Sequence, residues 1–269
     1  MRILATLLSC LLALPAAAHE FWIEPLAYQV EPDGMIQGRL VNGELFEGTE
    51  LAFLPLRFDR FSMASGMRNQ SVENRVGNRP ALDVEPFAEG LHVFSYQSRL
   101  SIVSYAEWAK FMRFADHKDF QDVEAMHDAR GLPRENFTEG YWRFAKTLVG
   151  VGHSAGRDFR TGLATEFVAL ENPYTDDMSD GFDVQLYFLD DLRPDVQVEL
   201  FEKAPDGTVE VTLHRTNSDG IATLPVKPGH SYLADAVVLR VPSDELAAQA
   251  DIEWETLWAA LTFAIPAQE

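Results

Sequence analysis

The feature that most constrains this chain is a two-residue alternation of apolar and polar side chains, broken repeatedly by short turn signals. Val196-Gln197-Val198-Glu199-Leu200-Phe201-Glu202 shows it clearly, and Pro205-Asp206-Gly207 follows it. Successive side chains of an extended strand point to opposite faces, so the alternation marks strands, and Pro-Asp-Gly between two runs supplies a hairpin turn. Similar runs span Met35 to Val41, Leu91 to Tyr96 and Val184 to Phe188, with turn signals at Pro32-Asp33-Gly34, Asn42-Gly43 and Thr216-Asn217-Ser218-Asp219-Gly220. The expected fold is mainly β.

One region departs from that period. Trp108, Phe111, Met112 and Ala115 recur at helical spacing, as do Tyr141, Phe144, Ala145 and Leu148, with Gly131-Leu132-Pro133 between them. Such spacing predicts a helical insertion over about 105–151. The organisation that follows is a signal segment 1–18, an N-terminal β-sandwich-like unit 19–182 carrying the insertion, and a C-terminal β-sandwich 183–269. Residues Met63 to Pro80 read as a long surface loop and 153–162 as a glycine-bearing loop. In the C-terminal unit, Asp219-Gly220 and Pro228-Gly229-His230-Ser231-Tyr232 resemble the transthyretin-like or carboxypeptidase-regulatory type of β-sandwich. That resemblance implies a fold rather than a function.

The first residues carry Arg2, an apolar run from Ile3 to Leu14, and Ala16-Ala17-Ala18, the three parts of an export signal. Cleavage after Ala18 is expected to leave His19 as the first residue of a periplasmic protein. The apolar run is well short of the roughly 20 residues that span a bilayer, so the mature chain is not expected to insert into a membrane. Cys10 is the only cysteine and leaves with the signal, so any metal site has to be built from His, Asp, Glu, amide or terminal amine. The chain carries 42 acidic and 22 basic residues, a net charge of −20. Such a field repels nucleic acid and attracts cations.

Histidines supply the candidate chemistry. An exposed His19 terminus offers an α-amine and an imidazole Nδ1 that together close one chelate ring on a transition metal, the beginning of a histidine brace. Asp116-His117-Lys118-Asp119, Asp122, Glu124, His127 and Asp128 form an acidic, histidine-bearing stretch of the insertion. Glu124 and His127 share a helix face at three-residue spacing, whereas His117 and His127 converge only if the chain turns between them. His153 lies in the glycine-bearing loop. His92, His214 and His230 read as strand and turn residues. No phosphate-binding glycine loop, Gly-x-Gly-x-x-Gly dinucleotide fingerprint or His-Glu-x-x-His helix occurs, and the expectation is a protein that is not an enzyme.

His19-Glu20-Phe21-Trp22-Ile23-Glu24-Pro25, Tyr141 to Val149, Asn172-Pro173-Tyr174, Tyr232 to Ala236 and Trp254 to Phe263 together resemble a family of exported bacterial proteins of unknown function. Its members are often labelled periplasmic components of nickel or cobalt uptake systems. Two departures stand out: Val238 occupies a last-strand position where a His is expected, and Tyr141-Trp142 stands where Tyr-Ser or Tyr-Thr is common. The resemblance implies a non-enzymatic protein that binds a divalent transition metal, nickel or cobalt first and copper next, and passes it to a membrane transporter. His19 is the position carried over, with His117, His127 or His153 completing the ligand set. Two other readings remain open: a copper brace enzyme oxidising a polymer over a tryptophan platform, and a metal-free β-sandwich interaction module.

Overall fold

Alternation and turn signals place the strands of a computed structural model in which residues 20–267 are described; the expected signal segment and His19 lie outside them. The first part of the chain forms β1 (Glu20–Pro25), β2 (Gln29–Val30), β3 (Ile36–Glu44), β4 (Glu47–Leu51), β5 (Phe58–Ser65), β6 (Arg68–Ser71), β7 (Leu82–Val84), β8 (Gly90–Ser98) and β9 (Ser101–Tyr105). Helices α1 (Trp108–His117) and α2 (Val123–Ala129) follow. The remainder comprises β10 (Phe137–Val151), β11 (Thr165–Ala169), β12 (Phe182–Phe188), β13 (Asp191–Leu192), β14 (Gln197–Lys203), β15 (Val209–Arg215), β16 (Ile221–Leu224), β17 (Ser231–Arg240), α3 (Asp244–Ala250) and β18 (Trp254–Ala264).

Three sheets stack. The central ten-stranded sheet runs β15-β14-β17-β18-β10-β8-β5-β6, with β2 and β9 also paired to β10. A four-stranded sheet of β1, β3, β4 and β7 covers one face, and β11, β12, β13 and β16 cover the other. The two cores alternate along β10: Ala145 and Val149 join Phe21, Trp22 and Ile23 in one, and Leu148 joins Phe182 and Leu186 in the other. The chain is thus mainly β and sandwich-like, as the alternation predicts. Trp22, Trp254 and Trp258 are among its largest fully buried side chains, each removing a large apolar area from water.

The insertion is helical only in part. α1 and α2 occupy 108–129 and pack Phe111, Ala115 and Val123 with Tyr105, Phe137 and Trp254. Residues 137–151, expected to be helical, are instead the long strand β10, parallel to β18 from Glu139↔Trp254 to Thr147↔Thr262. Because β10 lies between two other layers, both of its faces are apolar, and that double burial imitated helical spacing. The 182/183 boundary falls inside β12, and strands from both sides of it share the central sheet. Residues 63–80 begin as the β5–β6 hairpin rather than as loop. Asn217 to Gly220 makes a turn that carries the chain from β15 in the central sheet to β16 in the outer one, so it is not a hairpin within one sheet.

Candidate functional site

Glu199 on β14 and Asp235 on β17 are cross-strand partners, so both side chains leave the central sheet on one face. That face meets the start of β1, where Glu20 lies. Carboxylate oxygens of Glu20, Glu199 and Asp235 come within 4.8 Å of one another, and all three residues are buried. Like charges so close and so dry repel strongly unless a cation joins them.

Lys118 is that cation. It caps the C-terminal end of α1, and its Nζ donates to Glu199 Oε2 and Asp235 Oδ2, each at 2.9 Å. Glu20 Oε1 lies 3.6 Å away. The Trp258 ring beneath carries two cations, with Lys118 Nζ 4.8 Å and Arg143 Cζ 4.0 Å from its centroid. Burial lowers the Lys118 pKa, but Asp235, Glu199 and Glu20 outweigh it and hold the ammonium above its ordinary range. Desolvation pushes Glu20 up to about 7 against the pull of Lys118. It likewise raises Asp235. Glu199 ends below its ordinary range, because hydrogen bonds from His117 and Lys118 overcome its burial.

His117 stands at the rim as the last residue of α1. Its Nε2 is 3.1 Å from Glu199 Oε1, its side chain is 63% exposed, and its Nδ1 has no partner among the described residues. The Glu199 hydrogen bond raises its pKa despite partial burial. Gln197 Nε2 donates to the His117 carbonyl at 2.8 Å and fixes the end of the helix. His19 lies outside the described residues, but it is bonded directly to Glu20. One place therefore gathers His117 and three carboxylates, one of which belongs to Glu20, the residue that follows His19.

The other two histidines lie elsewhere. His127 is fully buried; Trp254 Nε1 donates to its Nδ1 at 3.0 Å and its Nε2 donates to the Pro133 carbonyl at 3.0 Å. Both nitrogens are engaged, so His127 is corrected from a candidate ligand to a core residue. Burial lowers its pKa accordingly. Its proposed helix partner Glu124 is turned outward to Arg134. His153 follows β10 at its far end: Asp235 and Ala145 both pair with Ala260, and β10 continues from Ala145 to Val151, about 20 Å further on. His153 is exposed beside Glu89 and does not join the cluster.

Sequence reading passed over Glu199 and Asp235. Their signal was a single carboxylate inside an otherwise apolar run, Val198-Glu199-Leu200 and Ala234-Asp235-Ala236. Among strands buried on both faces such a residue has to meet a partner inside the protein.

Tested against a metal ion, the donors divide into two sets. The three oxygens are already satisfied by an ammonium, so an ion among them has to displace Lys118. The nitrogen donor at the rim suits a borderline transition metal better, since His117 holds Nε2 toward Glu199 on a side chain that is largely exposed. A carboxylate fixing the far nitrogen is the usual support of a metal-bound imidazole.

Fold and site define a three-layered, mainly β protein with a buried, lysine-filled acidic centre edged by one histidine. The chain belongs to the family described as Domain of unknown function (DUF4198), whose model matches residues 16–240. No curated protein matches it. Among solved structures it is similar to the tetra-tandem repeat in the extending region of a large adhesion protein, at 10% identity and a TM-score of 0.21. That match covers 91% of this chain and 49% of the other, so the chain spans about half its length, and a likeness this distant carries no argument.

Proposed function

We propose that the protein is an exported, non-enzymatic carrier of a divalent transition metal, nickel or cobalt first and copper next, which it yields to a membrane transporter. The ion is held by the His19 amine and imidazole together with His117 Nδ1. What supports the reading is the His117–Glu199 pair beside Glu20, since it offers a second, oriented imidazole next to the residue that the expected cleavage would make the N-terminus. The bound metal would act as cargo, and the chain's own groups do the holding. Glu199 fixes the His117 ring, and the surrounding carboxylates make the potential at the rim favourable to cations. Among the described residues no helix is long and apolar enough to cross a membrane.

The test is calorimetric titration of nickel, cobalt and copper into protein recovered from the periplasm, its first residue fixed by mass spectrometry. Three forms are compared: the authentic His19 start, the same chain with one extra N-terminal residue, and His117→Ala. One ion per chain, weakened by both changes, is the expected result. Equal binding by all three forms, or none by any, overturns the proposal.

A further inference from the structure

On the opposite face of β10 from Ala145 lies a second buried group that the metal reading does not use. The side chains of Lys146, Asp158 and Glu166 are all 0% exposed. Lys146 Nζ stands 2.8 Å from Asp158 Oδ1, 2.9 Å from Oδ2 and 3.7 Å from Glu166 Oε2. An amine that close to both oxygens of one carboxyl lies within about 3.3 Å of its carbon, the separation of a near-attack arrangement.

Each partner is held in place. The Phe159 and Phe167 carbonyls accept from Lys146 Nζ at 3.1 and 2.9 Å. The Phe159 and Ala169 amides donate to the two Asp158 oxygens, each at 2.8 Å. Thr161 and the Gly162 amide fix Glu166. An ion pair and a neutral amine–acid pair differ by one proton transfer, and a dry site favours the neutral pair. Burial raises the Asp158 carboxyl in that direction.

We propose that Lys146 and Asp158 are joined by an intramolecular amide bond whose formation Glu166 assists as proton relay. The neutral Lys146 amine attacks Cγ of the protonated Asp158 carboxyl, forming the C–N bond. Glu166 takes a proton from the nitrogen and delivers one to the departing hydroxyl as its C–O bond breaks. One amine and one carboxylic acid become one amide and one water, and no oxidant or other reactant is needed. The bond replaces a buried amine–acid pair, either form of which is costly to keep dry, by a single amide. It ties the middle of the central strand to the segment entering β11, across a sequence separation of 12.

Mass spectrometry of the native, unmutated protein reads this directly. The intact chain is expected to weigh one water less than the sequence from its determined first residue. After denaturation and trypsin, which cuts after Arg157 but not after an acylated Lys146, Phe144 to Arg157 and Asp158 to Arg160 should stay joined as one branched species, one water lighter than the sum of the two peptides. Glu166→Gln and Lys146→Arg are expected at full mass. Full mass in the native protein, with cleavage at Lys146, overturns the proposal and leaves an ion pair. The readout is independent of metal, so it fails or succeeds separately from the carrier reading.

Discussion

The Lys118 ammonium lies 2.9 Å from the Asp235 carboxylate, across a sequence separation of 117. This contact pins the helical insertion to the central sheet, and the next residue back, His117, is thereby set against Glu199. A structural ion network and a candidate ligand share one short segment.

Lys118→Met should leave Glu20, Glu199 and Asp235 without their ammonium. Removing one partner of a buried charge group costs about 3–5 kcal/mol, and this variant should lose that much in chemical denaturation. The loss should shrink when Asp235→Asn is added. It should also grow with pH. Glu20 titrates at about 7 in the fold against 4.5 as a free carboxyl, so its contribution is present below 4.5 and fades as pH rises through about 7. Removing Lys118 steepens that fall. A loss independent of pH would contradict this account.

His127 should make the fold acid-sensitive. Its folded pKa is depressed below the free value of 6.5 by burial, so the unfolded chain takes up the proton first. Its contribution is complete above 6.5 and is lost as pH falls below it. Between about pH 7 and about pH 5, wild type should therefore lose more stability than His127→Gln. Parallel denaturation curves for the two proteins check this.

Gly43 and Gly48 face each other in the β3–β4 hairpin. A methyl group at Gly43 would collide with the Glu47 carbonyl and the Gly48 Cα. Gly43→Ala should destabilise by about 1–3 kcal/mol, since backbone rather than a flexible side chain has to give way. An unchanged melting temperature would show that the hairpin relaxes freely.

Glu199→Gln should separate orientation from ligation. If Glu199 steadies the His117 ring, the variant should bind nickel or copper roughly 10–100-fold more weakly while keeping one ion per chain. His117→Ala should cost more. Equal affinity in wild type and Glu199→Gln would remove Glu199 from the supporting role.

Parts of this architecture are plain in the sequence. Val196 to Glu202, Pro205-Asp206-Gly207 and the strands around Leu91 and Val184 announce themselves because a two-residue period and a glycine turn are local properties. Trp108 to Ala115 likewise read correctly as helix. Tyr141 to Leu148 did not, because the period of a strand buried on both faces carries no alternation to see.

For the candidate site the division is sharper. Local sequence determined the β character of the chain, the α1 helix and the acidic stretch around His117. Only the tertiary structure decided that Lys118, rather than an unfilled cavity, sits among Glu20, Glu199 and Asp235, that His127 belongs to the core, and that His153 lies at the wrong end of β10. The physical reason is that charge pairing and burial depend on which strands meet. Glu199 meets Asp235 through strand register, and both meet Lys118 through the packing of a helix that no local pattern positions.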